Sequence, residues 1–194
     1  MTAIINASTS SGLITTADTS GTLALQSNGT TQFTVSSTGA YGQLKQGTAV
    51  ASTSGTSIDF TSLPSWVKRI TVMFSGVSTN GSSNLQVQIG SGSVTTSGYV
   101  GGYSRGTMAS SATSGLVVQA TPAAASLYFG SIVFTNITSN TWVGSGNTIT
   151  NASDAATLSN CSLALGGTLD RIRITTVNGT DTFDAGSINI MYEG

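Results

Sequence analysis

The sequence predicts an all-β protein: an antiparallel β-sandwich or jelly roll preceded by an extended N-terminal arm that carries a β-hairpin. Three observations lead there. Short runs of β-branched and aromatic residues recur along the chain, alternate apolar with polar, and are separated by turn residues, the spacing of a sandwich or jelly roll rather than of alternating strands and helices. No apolar period of 3.6 is sustained anywhere. Charged residues make up only 7% of the 194 positions, where about 25% is ordinary, and Ser and Thr together are about a third, which suits strands whose outward faces are hydroxyls.

The arm, residues 1–45, comes first. Its opening twenty residues are polar, with Ile4, Ile5, Leu13 and Ile14 scattered among them. Leu23 to Gln26 and Thr31 to Val35 then flank Ser27-Asn28-Gly29-Thr30, a hairpin signal. Leu23, Leu25, Phe33 and Val35 are its sizeable apolar side chains. A lone hairpin is marginal in water, so these four are the expected contact with neighbouring subunits or with a particle. Ser36-Ser37-Thr38-Gly39 reads as a linker, and Tyr41, Leu44 and Lys45 approach the main domain, 46–194.

In that domain Ser57-Ile58-Asp59-Phe60 leads through Leu63-Pro64 to the longest strand signal, residues 65–77. Alternation places Trp66, Ile70, Val72 and Phe74 toward the core and Val67, Arg69, Thr71 and Met73 on a mixed face. Asn80-Gly81 follows, then Leu85, Val87 and Ile89 alternating with Gln86 and Gln88, which predicts a second hairpin. Residues 90–106 are Gly-rich and read as loop with one short strand. Leu116 to Gln119 and Leu127 to Thr135 are strands, the second long enough to be central. Trp142-Val143 and Asn147 to Thr150 read as a pair over Gly144-Ser145-Gly146, and residues 157–165 as a further strand with a competing helical turn at Ala155, Ala156 and Leu158. Leu169 to Val177, the turn Asn178-Gly179, and Phe183 to Tyr192 repeat the pattern around Asn80, so the strands starting near Lys68 and near Arg171 are equivalent strands on the same or opposed sheets.

Composition restricts function. Net charge is −1, which gives no electrostatic case for nucleic acid or an anionic membrane surface. No apolar run reaches bilayer length and no signal-peptide pattern opens the chain, so synthesis and folding in a cytoplasm are expected. Without a secretory route, the Asn-x-Ser/Thr triplets at Asn6, Asn28 and Asn178 are products of composition. There is no His, hence neither an imidazole base nor an imidazole metal site. No cofactor is expected. Cys161, the one cysteine, reads as a small buried residue beside Leu163 and Leu165; a nucleophilic role would need a base and an electropositive pocket. A chain this poor in charge is expected to assemble with copies of itself or with a larger particle.

Three groups of residues are candidate sites. Asp181 and Asp184 could act as a carboxylate pair in glycoside hydrolysis or, with Asn178, hold Ca²⁺; the blander alternative is solvated turn carboxylates. Lys68, Arg69, Arg171 and Arg173 form either an anchoring patch for a partner or cross-strand ion pairs with Asp59 and Asp170. Tyr99, Tyr103 and Arg105 form either a loop that stacks on a sugar or presses on a partner protein, or a loop folded over the end of the sandwich.

Several stretches resemble fibre and other exterior virion proteins of tailed bacteriophages. They are residues 13–31, running from Leu13-Ile14-Thr15-Thr16 to Ser27-Asn28-Gly29-Thr30-Thr31; residues 53–74, which include Leu63-Pro64-Ser65-Trp66-Val67-Lys68-Arg69-Ile70; and Phe183-Asp184-Ala185-Gly186-Ser187-Ile188-Asn189-Ile190. Residues 90–160 match only in style. The resemblance implies a non-enzymatic, homotrimeric exterior component of the virion whose partners are its own copies and the major capsid protein or tail proteins. One placement is a capsid decoration (cement) protein or short head fibre with residues 1–45 on the shell. The other is a tail fibre or fibre tip binding a host-surface receptor or glycan. The short chain, without a recognisable baseplate-anchoring domain, favours the first. No catalytic residue is carried over.

Overall fold

A computed structural model describes residues 23–194 except 28, 37–38, 42–43, 121–122, 125 and 152. The expectations for residues 1–22, for Asn28, and for the side chain of Val35 lie outside the described residues. The chain forms two compact units, 1–43 and 44–194.

In the first unit β1 (Leu23–Ser27), β2 (Thr30–Ser36) and β3 (Gly39–Tyr41) make an antiparallel sheet in that order. Ser27 stands opposite Thr30, and Gly29 between them takes the positive φ (72°) that a tight hairpin turn requires. The expected hairpin is present. Of the stretch read as a linker, Ser36 ends β2 and pairs with Gly39, the first residue of β3, while residues 37–38 lie outside the described residues.

The second unit contains β4 (Leu44–Gln46), β5 (Val50–Ala51), β6 (Ser57–Phe60), β7 (Arg69–Thr79), β8 (Leu85–Ser91), β9 (Ser93–Val94), β10 (Val100–Arg105), β11 (Met108–Ser111), β12 (Leu116–Gln119), β13 (Tyr128–Thr138), β14 (Thr141–Thr150), β15 (Ser153–Ala164), β16 (Arg171–Thr176) and β17 (Phe183–Glu193). Every pairing is antiparallel. The larger sheet runs β11-β10-β15-β14-β13-β7-β17-β4, with β5 also on β17; the smaller runs β12-β8-β16-β6, with β9 on β8. Leu44 and Lys45, assigned by sequence to the arm, belong here because β4 pairs with β17. One core lies between the sheets. Ile70, Val72 and Phe74 (β7), Ile132 and Phe134 (β13), Trp142 (β14), Cys161 and Leu163 (β15) and Ile188 and Ile190 (β17) enter from the larger sheet. Ile58 and Phe60 (β6), Leu85, Val87 and Ile89 (β8), Leu116 and Val118 (β12) and Ile172 and Ile174 (β16) enter from the smaller. The protein is therefore an all-β antiparallel sandwich.

The structure changes several local expectations. Asn80-Gly81 does not close a hairpin: β7 lies in the larger sheet and β8 in the smaller, so the turn carries the chain between layers. Asn178-Gly179 carries it back, and the two equivalent strands β7 and β16 sit in opposed sheets. Gln86 and Gln88 are buried rather than solvated, because Gln88 Nε2 donates to Ser114 O (2.8 Å) and Gln86 Oε1 accepts from Ser114 Oγ (2.9 Å). Trp66 is half-buried and Val67 fully buried, the reverse of the predicted alternation. The strand begins only at Arg69, and residues 65–66 form a turn closed by Val67 N–H to Pro64 O (3.1 Å), so strand parity does not reach them. Trp66 instead packs on Tyr192, with ring centroids 5.7 Å apart, and Lys45 Nζ stands 6.0 Å from its ring.

Residues 141–150 are one strand, not a hairpin over Gly144 and Gly146. Those glycines are there for packing: a Cβ at 144 would lie 2.6 Å from Leu116 Cδ1 and 2.7 Å from Phe134 Cε1. Residues 155–158 continue β15 without a helical turn. Residues 90–106 hold β9 and β10 rather than one short strand. Gly76 (φ 63°) and Gly186 (φ 88°) lie where β7 and β17 shift register, and a Cβ on Gly186 would collide with the Gly76 carbonyl. This paired bulge explains why Val77, of odd parity, is buried like Phe74.

Phe74, 4% exposed, lies at the middle of this core. Phe74→Ala is expected to lower unfolding free energy by about 3–5 kcal/mol. Denaturant titration of the two proteins measures this, and a difference below about 1 kcal/mol would mean that the site collapses around the smaller residue.

Candidate functional site

The carboxylate pair resolves into two different environments. Asp181 sits where two of the crossings between sheets meet, β7 to β8 and β16 to β17. Its Oδ2 accepts Ser83 N–H (2.9 Å) and its Oδ1 accepts Asn178 Nδ2 (2.6 Å). Around it Asn80 N–H donates to Thr182 O and Thr182 N–H to Asn80 Oδ1, both at 2.9 Å. Val177 N–H donates to Asn84 O (2.8 Å) and Asn178 N–H to Ser83 Oγ (3.0 Å). Asp181 therefore ties one corner to the other. Asp184, on β17, is exposed. Its charge adds to burial in pushing the Tyr128 hydroxyl up to about 12, against the opposing charge of Arg105. Among the described residues no three of His, Cys, Asp and Glu gather as a metal site would require.

The basic set does not form one patch. Arg69 is on β7 of the larger sheet, and Arg171 and Arg173 are on β16 of the smaller. Each arginine is paired: Arg69 with Glu193 (2.9 Å), Arg171 with Asp170 (2.7 Å), and Arg173 with Asp59 through two bonds of 2.7 Å. Lys68 is exposed; its backbone carbonyl accepts Asn136 N–H (2.8 Å) and its N–H donates to Glu193 O (2.8 Å). Ion pairing describes these arginines, cross-strand for Arg69 and Arg173 and between chain neighbours for Arg171 and Asp170, and solvent screening keeps the contribution of such exposed pairs small.

The aromatic loop is divided too. Tyr99 is a core residue, 1% exposed, whose hydroxyl accepts Ile89 N–H at 2.7 Å. Burial raises its pKa well above the usual tyrosine value. It cannot stack on a ligand. Tyr103 and Arg105 are half-buried on β10, with Tyr103 Oη accepting Asn84 Nδ2 (3.1 Å). Cys161 is buried and unbridged, and burial pushes its thiol up to about 11, so at neutral pH it is a small apolar residue.

The feature that sequence reasoning missed is the outer face of the larger sheet. Register places Val100, Ser162, Val143, Thr135, Arg69 and Glu193 in one cross-strand row. The next row is Gly102, Asn160, Ser145, Val133, Thr71 and Met191. A third is Ser104, Leu158, Asn147, Ser131, Met73 and Asn189. Phe129 and Ile149 stand in a fourth, with Ser75 and Ser187. The charges in these rows are Arg69 and Glu193, paired with each other at one corner. Two open grooves flank Leu158 and Asn160: about 390 Å³ beside Val100, Gly102 and Ser104, and about 410 Å³ beside Ser131, Val133 and Ser145. The signal in the sequence was the uncharged alternate positions Val143, Ser145, Asn147 and Ile149 on β14 and Leu158, Asn160 and Ser162 on β15, but the rows exist only once the three non-local pairings of β10 with β15, β13 with β7 and β7 with β17 are known.

Compared with protein-family models, curated proteins and solved structures, the chain matches none.

Two measurements check these assignments. Asp170 is held below the usual carboxylate range by Arg171 first, then by Gly92 N–H. A depressed carboxyl stabilises the fold above its unfolded pKa and loses that contribution as pH falls through the folded value. The melting-temperature gap between wild type and Asp170→Asn is therefore expected to narrow between about pH 5 and 2; a gap constant with pH would contradict the pairing. Cys161 is expected to resist a thiol reagent in the native protein and to react at once in denaturant. Rapid native labelling would place it at the surface.

Proposed function

We propose that this chain is a non-enzymatic structural protein on the exterior of a tailed-bacteriophage particle, a homotrimeric capsid decoration protein or short head fibre held by its N-terminal unit. The observation that carries the reading is the arm sheet. Leu23 and Leu25 are 42% and 43% exposed there. Fully burying one such side chain is worth about 1.5–3 kcal/mol, while ordering each residue costs about 1–2 kcal/mol of backbone entropy. A partner that covers these side chains supplies the missing burial. The resemblance of residues 13–31, 53–74 and 183–190 to exterior virion proteins, and a surface so poor in charge, support a particle as that partner.

The alternative is a tail fibre or fibre tip that reads a host glycan. It relied on Tyr99, Tyr103 and Arg105, and the placement of Tyr99 in the core leaves it with two half-buried residues. The hydrolase reading loses Asp181 to the corner, where both carboxylate oxygens are engaged.

The test uses particles grown from the genome that encodes the chain, with Leu23→Asp and Leu25→Asp introduced together. Both positions are exposed, so the second unit is expected to fold as in wild type. Incorporation is expected to fall at least tenfold, measured by quantitative gel or mass spectrometry of purified particles. Wild-type occupancy of the double variant would remove the anchoring role.

A further inference from the structure

We infer that the outer face of the larger sheet is the surface through which copies of this chain pack on one another. This goes beyond the assembly named above by assigning its interface, and it rests on that reading only for the existence of an oligomer.

The two outer faces of the sandwich differ in kind. The smaller sheet turns Asp59, Arg171 and Arg173 outward, in ion pairs that solvent tolerates. The larger sheet turns outward the rows built on Val100, Asn160, Leu158 and Phe129, charged only at the Arg69–Glu193 corner. Val100 is 76% exposed, Leu158 52% and Ile149 45%. Protein interfaces are depleted of charge at their centres and enriched in methionine and aromatic residues, which matches Met73, Met191 and Phe129 here.

Area agrees. Three rows across six strands and a fourth across four, with strands about 4.8 Å and rows about 6.7 Å apart, cover roughly 700 Å², close to the share one partner contributes to a standard interface. The chemistry of the occupant follows from the face. A charged partner surface would lose solvation without finding a counter-charge. A partner of this chain's own composition, 7% charged and rich in Ser, Thr and Asn, brings hydroxyls and amides that pair with Asn147, Asn160, Ser131 and Ser145. Shape points the same way: the Leu158–Asn160 ridge stands between two open grooves, so around a threefold axis each copy can give its ridge to one neighbour and take the other neighbour's ridge into a groove. The copies turn this face toward a shared axis.

The experiment is sedimentation velocity of the full chain with Leu158→Lys and, separately, Ser145→Glu, both at exposed positions, beside Thr61→Glu in an exposed loop outside these rows. Thermal melts confirm that each variant folds. Wild type and Thr61→Glu are expected to sediment as one oligomer at micromolar concentration. Leu158→Lys and Ser145→Glu are expected to weaken association roughly 100-fold or more and to run as monomers. An oligomer unaffected by both face variants overturns this interface while leaving assembly intact. A wild-type monomer up to about 100 μM overturns both.

Discussion

Two of the chain's crossings between the sheets meet at a single corner, and that corner sets which strands lie side by side at the centre of each sheet. Asn80 and Asn178 each follow a long strand, one leaving the larger sheet and the other leaving the smaller. The backbones there exchange hydrogen bonds through Asn80 and Thr182 and through Asn84 and Val177, with Asp181 bridging Ser83 and Asn178. This corner fixes β7 beside β17 and β8 beside β16. Every other strand of the sandwich adds to one of those two pairs. The charge of Asp181 is thus accounted for by architecture: an acceptor with several lone pairs at a place where two loops present donors.

The same arrangement distributes polarity. Because charges are few, where they fall decides what each surface can do. Arg173 and Arg171 satisfy Asp59 and Asp170 on the smaller sheet, leaving that face suited to water. The larger sheet keeps hydroxyls, amides and scattered aliphatic side chains. A surface of that kind gains little from water and little from ions, and it suits contact with another surface like itself. The exposed leucines of the arm sheet make the corresponding demand in the first unit. Both units therefore present apolar side chains outward, the kind of surface that the proposed assembly would cover.

Much of the fold was legible locally. Leu116 to Gln119 is a strand over those four residues, the two strands of the arm hairpin pair as expected, and Tyr128 to Thr135 of the expected strand lie inside the central β13. These depend on propensity and alternation within a few residues, and Leu127 falls just outside the strand. Failures came where the deciding partner is distant in sequence. Asn-Gly favours a tight left-handed hairpin turn, but Gly81 takes no positive φ and residues 80–81 only bend between the sheets, so the dipeptide gave no hint of a layer change. Tyr99 stands in a Gly-rich stretch that resembles a surface loop, but the backbone of Ile89 captures its hydroxyl. Gly144 and Gly146 looked like a turn because glycine marks turns and close packing alike. The candidate site was legible only as residue types. Lys68, Arg69, Arg171 and Arg173 were correctly seen as conspicuous in a charge-poor chain, but their separation onto two sheets required the topology.

Imaging of purified particles grown from the encoding genome, at a resolution that traces individual strands, tests the account most directly. The account predicts the sandwich on the particle exterior in threefold groups, the larger sheets turned toward the common axis, and Leu23 and Leu25 covered by a neighbouring chain. Particles without the protein, or single copies with Leu23 and Leu25 open to solvent, would contradict it.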